Sequence, residues 1–217
     1  KDTLVSTQNL RLGVLRLQEL LNHLNAGSTQ MERLVDELAT AQLDDYKKLY
    51  LKDREIKNII IVDDYLSPWA VRKAHERGEV NAVVDRKAFS QLMEALRTKG
   101  TTELAKRMDI AEEKVPLVYI SAILTRRIAE LMVAELVWAP GVTLCDGIAY
   151  EYAEQNKMFR GEHDFAEDII ACALNISKRY NGSSKRADTL ELITTTIFDS
   201  MKKVHGMGQR DRLYLRL

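Results

Sequence analysis

Two adjacent carboxylates, Asp63 and Asp64, directly follow the β-branched run Ile59–Val62. A run of this kind is typical of a strand buried on both faces in the centre of an α/β sheet. Such folds bind ligands at the carboxyl ends of their strands, and carboxylate oxygens suit a Mg²⁺ ion that bridges to a phosphate. The alternative is structural: one carboxylate caps the following turn or helix, and the other is solvated. The sequence leaves both interpretations open.

A second carboxylate loop is formed by Asp146-Gly147, which follows the short apolar segment Val142–Cys145. We predict a strand over that segment and a helix from the loop to about Gln155. Asp146 is favoured as the N-cap of this helix, beside a flexible turn at Gly147. A loop that contacts a ligand is the other interpretation.

Two sets of basic side chains could meet a polyanion. Arg11 and Arg16 flank Gly13, and one guanidinium can bind two phosphate oxygens at once. Further along, Lys178-Arg179 and Lys185-Arg186 straddle a predicted helix–helix turn and could line a polyanion channel. Basic residues are also common on solvated surfaces, so each set has a purely structural alternative.

No complete catalytic constellation can be assembled from the remaining residues. The four histidines lie on separate elements, and no Walker loop, nucleophile elbow or dinucleotide fingerprint is present. His163-Asp164 is interpreted as an interdomain turn whose aspartate caps the next helix. Cys145 and Cys172 lie far apart in sequence and predict reduced thiols. We therefore assign no catalytic residue and no metal ligand from the sequence.

The composition is that of an ordinary globular protein. Lysine and arginine total 32, as do aspartate and glutamate, so the formal net charge is zero and predicts no nucleic-acid partner. The longest apolar stretch, Val115–Ala122, is too short to span a bilayer, and nothing resembles a signal peptide. We expect a soluble cytoplasmic protein with no membrane partner.

Periodicity places the candidate residues on alternating strands and helices, followed by helices alone. Short strands are predicted at Thr3–Thr7 and Leu10–Leu12. Gly27 would end the first helix in the left-handed conformation, and Ser28 or Thr29 would cap the second. Further helices are predicted at Trp69–Arg77 (capped by Ser67, with Pro68 first), from Asp85, from Thr101 or Thr102 to Met108, and at Leu117–Leu136, Asp164–Tyr180, Ser184–Lys203 and from Arg210. The polar segment Asn156–Glu162 is the predicted domain boundary.

The carboxyl-terminal residues carry a family resemblance. They are Ala173–Tyr180, Ala187, Thr196–Met201 and His205–Leu213. This set resembles the opening helices of the C-terminal domain of the exopolyphosphatase/guanosine pentaphosphate phosphohydrolase family, where the next segment carries the His-Asp pair of an HD-type domain. At the other end, Leu4–Ser6 and Leu10–Gly13 resemble the strand that follows the family's phosphate-binding glycine loop. The resemblance implies that the chain is the middle of a larger protein.

Three departures separate this sequence from the family pattern. Asp63-Asp64-Tyr65 stands where the family has a Gly-Gly-Thr loop that lets backbone N–H groups approach phosphate. Thr143–Gly147 stands where the family has a Gly-Leu-Arg-Glu-Gly turn. Arg186 falls near the family's first expected metal-ligand histidine, and a guanidinium cannot donate a lone pair to a metal.

The resemblance implies an α/β fold of the actin-like type (ribonuclease H-like, ASKHA). Residues 1–157 would be the second lobe, incomplete at its N-terminus, and residues 163–217 the start of an all-α HD-like domain. The parent would hydrolyse a terminal phosphoanhydride of polyphosphate or guanosine pentaphosphate with Mg²⁺, whereas this fragment would hold no cofactor and be inactive alone. The alternative is a degenerate, non-catalytic relative that acts as a regulatory or interaction module. The formation of a homodimer is left open by the sequence.

Within that picture the candidate site residues fall into two groups. The phosphate-binding candidates are Arg11, Arg16, Lys178 and Arg179, and the cleft-loop candidates are Asp63, Asp64, Ser67, Asp146 and Gly147.

Overall fold

The structure of the chain is a computed structural model that describes residues 4, 7–24, 27–51, 54–161, 163 and 165–217, without the side chains of Ser28 and Thr29. It divides into two compact units. One contains residues Asn9–Met158, and the other contains Phe159–Leu217 with the described residues among the first eight.

The larger unit alternates helices with three short strands. In chain order its elements are α1 Val14–His23, α2 Ser28–Tyr46, a π-helical turn Lys47–Leu51, β1 Asn58–Ile60, α3 Leu66–Glu76, β2 Ala82–Val84, α4 Arg86–Thr98, α5 Thr101–Met108, a 3-10 turn Glu112–Lys114, α6 Val115–Met132, β3 Leu136–Ala139 and α7 Leu144–Gln155. This mixture of many helices and three short strands is compatible with the predicted α/β class.

The three strands form one mixed sheet in the order β1-β3-β2. β1 runs parallel to β3, with Ile60 opposite Trp138, and β2 runs antiparallel to β3, with Val83 opposite Trp138. The prediction that Ile59–Val62 lies in the centre of the sheet, buried on both faces, is wrong. β1 is an edge strand, and Ile60 and Val62 are exposed. β2 was not foreseen.

Helix α6 is the centre of the core. Ile120 and Ile123 are fully buried, and the helix packs against α1, α2 and α4. The predicted helix over Leu117–Leu136 is too long at its end, because Val133 takes the left-handed conformation (φ 56°) and stops it. Leu136 instead begins β3. Residues 142–145, predicted as a strand, are the approach to α7 and its first turn.

The helix starts test the predicted caps. Asp85 caps α4 as predicted, since its Oδ1 accepts the Ala88 N–H at 2.7 Å. Gly27 (φ −67°) precedes α2 as its N-cap and does not end α1 in the left-handed region, so that prediction is wrong, as is a cap by Ser28 or Thr29. Likewise Gly100, not a threonine, is the N-cap of α5.

The smaller unit consists of helices in the described residues. They are α8 Phe165–Arg179, α9 Ser184–Ser200, α10 Lys202–His205 and α11 Gln209–Tyr214. The first, second and fourth agree with predicted helices, but the predicted helix Ser184–Lys203 ends earlier, at Ser200, and α10 was not foreseen. Of its described residues only Ile170 and Thr195 are buried. Polar links supplement this small core, including a bidentate pair between Arg212 and Asp199.

Leu10–Leu12 does not form a strand, and Thr3–Thr7 lies largely outside the described residues, as does Asp164. Within the part of the chain that the structure describes, no helix has both the length and the apolar character needed to cross a bilayer.

Candidate functional site

The parallel pairing of β1 and β3 brings the two predicted cleft loops to the same end of the sheet, beyond the carboxyl ends of these strands. Both strands end there, and α3 and α7 begin immediately beyond them. The Ile61 N–H donates to the Trp138 carbonyl at 2.9 Å, so the two chains leave the sheet side by side. Gly141, in the loop after β3, has φ +77°, and a Cβ there would lie 3.0 Å from Cγ2 of Val71 in α3. The carboxyl end of the strands is where α/β folds bind ligands.

Asp63 is the half-buried anchor of the first loop. Its Oδ1 accepts the Ser67 N–H at 2.7 Å, and its Oδ2 accepts the Leu66 N–H at 3.0 Å and the Ser121 hydroxyl at 2.5 Å. Burial raises the pKa of Asp63, but the hydrogen bonds from Ser121, Leu66 and Ser67 outweigh it and hold the pKa below its ordinary value. The geometry is therefore that of a charged cap on the first turn of α3.

Ser67 is not the N-cap that the sequence predicts. The helix begins one residue earlier, at Leu66, with Tyr65 before it. The Ser67 hydroxyl instead accepts the Asp63 N–H and donates to the Ile61 carbonyl, each at 3.3 Å. Ser67, which is buried at 2% exposure, thus stabilises the loop through hydrogen bonds to its backbone.

Asp64 has the opposite environment, since it is exposed. Within the described residues no hydrogen bond or ion pair involves its side chain. There is also no cluster of three or more carboxylate, imidazole or thiol groups in that part of the chain. Both oxygens of Asp63 bind protein donors, whereas Asp64 is exposed, which is the arrangement that the structural interpretation of this pair predicts.

The second loop is closed by a capping box. The Asp146 carboxylate accepts the Thr143 N–H at 2.7 Å and the Thr143 hydroxyl at 2.8 Å, and the Thr143 Oγ1 accepts the Asp146 N–H at 3.4 Å. The Thr143 N–H and hydroxyl hold the pKa of Asp146 below its ordinary value. Thr143 is thus the N-cap, and the predicted role of Asp146 as N-cap is wrong.

Gly147 lies inside α7, not in a flexible turn. A Cβ at this position would meet nothing within 4 Å, so packing does not require a glycine. The helix that it helps to start buries none of its residues. The surface around this second loop is therefore open.

Arg11 and Arg16 are both exposed, the first just before α1 and the second within it. The backbone N–H of Arg11 donates to Oε1 of Gln42 at 2.8 Å. This bond holds the backbone in place, while the Arg11 side chain does not take part in it. Among the described residues neither guanidinium has an ion pair, and none links to the two cleft loops. Both groups are available to an external anion.

In the smaller unit the predicted basic cluster surrounds the α8–α9 turn. The Arg179 guanidinium lies 5.0 Å above the Tyr180 ring and donates to its hydroxyl at 2.9 Å. Ser183 caps α9 by accepting the Arg186 N–H at 3.4 Å, while Lys178 and Arg186 are exposed. The turn therefore presents several cations to solvent, one of them stacked on a phenol.

An ion-pair network in the larger unit was missed by sequence reasoning. Glu32 in α2 pairs with Arg97 at 2.5 Å and Arg126 at 3.1 Å and accepts the Tyr119 hydroxyl at 3.2 Å. The hydrogen bond from Arg97 is the main cause that lowers the pKa of Glu32, against the raising effect of burial. Burial raises the pKa of nearby Asp36 despite its contact with Arg126. No local signal reveals these pairs, which join residues far apart in sequence.

Replacing Glu32 with glutamine is expected to lower the free energy of unfolding at pH 7 by about 2 kcal/mol, because the bonds to two guanidinium groups lose their charge. The pKa of Glu32 is lowered on folding, so its contribution is present above the unfolded pKa of about 4.3 and lost as pH falls through the folded value. Urea titrations at pH 7 and pH 3 would measure this. Glu37→Gln, which breaks only an exposed pair with Arg33 on the same helix, is the matched control and should have no measurable effect. Equal losses in the two variants would contradict the network's role.

Comparison with known proteins yields no assignment. No protein-family model matches the chain, and no curated protein is significantly similar to it in sequence.

Proposed function

We propose that this chain is the second lobe, with the first helices of an HD-like domain, of a hydrolase that removes a terminal phosphoryl group from polyphosphate or guanosine pentaphosphate. The observation that carries the proposal is that the parallel strands β1 and β3 finish at the same end of the sheet, and each is followed by a loop and the start of a helix. This is the order that the family resemblance implies for an actin-like lobe.

Cations on both units support a polyanionic ligand. In the larger unit the guanidinium groups of Arg11 and Arg16 have no protein partner among the described residues. In the smaller unit, considered by itself, Lys178 and Arg179 are exposed at the end of α8. Arginine binds phosphate oxygens through a planar fork of donors, and its affinity for a polyanion falls steeply with salt. The chain would form one wall of a cleft, and catalysis would come from residues outside it.

The chain itself would be inactive. Asp63 is committed to α3 and to Ser121, and Asp146 is committed to Thr143. Neither carboxylate is placed to activate water, and we assign no metal ligand to this chain. Phosphate release from either substrate should therefore stay at background with Mg²⁺ present.

Binding tests the proposal directly. Labelled polyphosphate should bind the chain at low ionic strength, and the double variant Arg11→Ala/Arg16→Ala should weaken binding about tenfold, a loss of about 1.4 kcal/mol. Arg33→Ala is the matched control, because that exposed guanidinium already pairs with Glu37. Absence of binding at low salt, or equal losses in the two variants, would overturn the proposal.

The second candidate is a non-catalytic relative that acts as an interaction module. It is favoured by Asp63, which fills the position of a phosphate-binding glycine loop with a carboxylate held in its charged form. This candidate predicts that the chain binds neither polyphosphate nor guanosine pentaphosphate.

A further inference from the structure

In the part of the chain that the structure describes, the outer side of β1 is one of the two free edges of the sheet, and the outer side of β2 is the other. In the described chain β1 pairs only with β3, through the Ile61 N–H to the Trp138 carbonyl at 2.9 Å and the Leu136 N–H to the Lys57 carbonyl at 3.2 Å. Backbone groups of alternate residues face alternate sides of a strand. The outward-facing N–H and C=O groups therefore belong to Asn58, Ile60 and Val62.

The same edge continues into an open apolar face. Ile60 is 60% exposed and Val62 is 53% exposed, and the large side chains of Leu136 and Trp138 are also exposed. The opposite face is buried through Ala82, Val84, Val137 and Ala139. Proteins usually protect a free edge with lysine, proline or a bulge, because bare apolar strands add further strands. None of these devices interrupts Asn58–Val62.

Charges at the two ends of this segment differ in sign. Lys57 precedes it, and Asp63 and Asp64 follow it. An antiparallel copy would place each basic end beside an acidic end, whereas a parallel copy would place like charges together. The formal net charge of zero adds no long-range repulsion between two chains.

We propose that two copies of this chain pair antiparallel through β1, with the two-fold axis at Ile60, and form one continuous six-stranded sheet. Only even-numbered residues present free backbone groups, so they must oppose one another. The register with Ile60 opposite Ile60 also sets Asn58 opposite Val62 on both sides of the axis. Lys57 then lies opposite Asp63 of the second copy. Such a contact is isologous, as closed dimers require.

Cysteine cross-linking tests this register. Cys145 and Cys172 are free and would first be replaced by serine. Residues opposed in a hydrogen-bonded antiparallel pair have Cα atoms about 5.5 Å apart, within the range of a disulfide. Ile60→Cys should therefore form a covalent dimer under mild oxidation at least about tenfold faster than Asn58→Cys or Val62→Cys, while those two substitutions combined in one chain should also cross-link. Faster cross-linking of either single control would overturn the register.

The dimer itself is tested by sedimentation at tens of micromolar. Ile60→Lys would place two like charges on the axis and should raise the dissociation constant about a hundredfold or more, with unchanged helical circular dichroism. Val80→Lys is the matched control, because Val80 precedes β2 and is 94% exposed. A wild-type chain that stays monomeric, or a dimer equally affected or unaffected by both substitutions, would overturn the proposal. None of these results depends on phosphate binding.

Discussion

Replacing Asp63 with alanine is expected to lower the free energy of unfolding by about 3 kcal/mol. The substitution removes the acceptor of three hydrogen bonds and leaves the Leu66 and Ser67 N–H groups at the start of α3 without a partner. It also leaves the Ser121 hydroxyl unpaired inside α6, where Ser121 is 4% exposed. An unsatisfied buried donor costs about 1–3 kcal/mol, and a lost helix cap costs about 0.5–2 kcal/mol. Urea denaturation at pH 7 would measure the loss.

The neighbouring carboxylate provides the control for this prediction. Asp64→Ala should change stability by less than about 0.5 kcal/mol, because its side chain is exposed. The pKa of Asp63 is lowered on folding, so its contribution is present above the unfolded pKa of about 3.9 and lost as pH falls through the folded value. Wild type and Asp63→Ala should therefore converge in acid. Equal effects of the two substitutions at pH 7 would contradict the capping role.

The second large effect concerns the two units, which are expected to unfold separately. In the smaller unit the described residues bury only Ile170 and Thr195, whereas in the larger one α6 alone buries Ile120, Ile123 and most of its neighbours. Burial of apolar area supplies most of the stability of a fold. Backbone amides in the helices of residues 165–214 should therefore have much lower protection factors in hydrogen exchange than the amides of α6.

Substitutions in the two cores would assign the transitions. Ile120→Ala should cost about 2–5 kcal/mol and shift only the later transition in a urea titration, because it creates a cavity at a fully buried position. Ile170→Ala should shift only the earlier one. A single transition that both substitutions move equally would contradict separate unfolding.

Helix caps with a strong local signal could be predicted from the sequence, and the sheet edges could not. Asp85 precedes a clear amphipathic pattern and caps α4 as expected. Val133 shows the limit: it ends α6 in a left-handed conformation that β-branched residues rarely adopt, so the apolar periodicity ran on into β3. The exposure of Ile60 could not be inferred either, because a four-residue apolar run fits an edge strand with an open face as well as a central one.

The candidate site was only partly readable for a similar reason. Sequence placed Asp63 and Asp146 at loop and helix boundaries, and the structure keeps them there. The sequence could not indicate which residue each carboxylate would bind. Ser121 lies 58 positions from Asp63, and its hydroxyl reaches that carboxylate only after α6 packs beside the sheet. Long-range pairs such as Glu32 with Arg97 are invisible for the same reason.

The strand order has a consequence for the chain as it leaves the ribosome. β1 ends at Ile60, yet the strand that pairs with it begins only at Leu136, roughly seventy-five residues later. At about 5–20 residues per second, the nascent chain spends about 4–15 seconds with this apolar segment exposed and no strand to receive it. During translation Ile59–Val62 therefore remains without its partner strand while the helices α3 to α6 are being made.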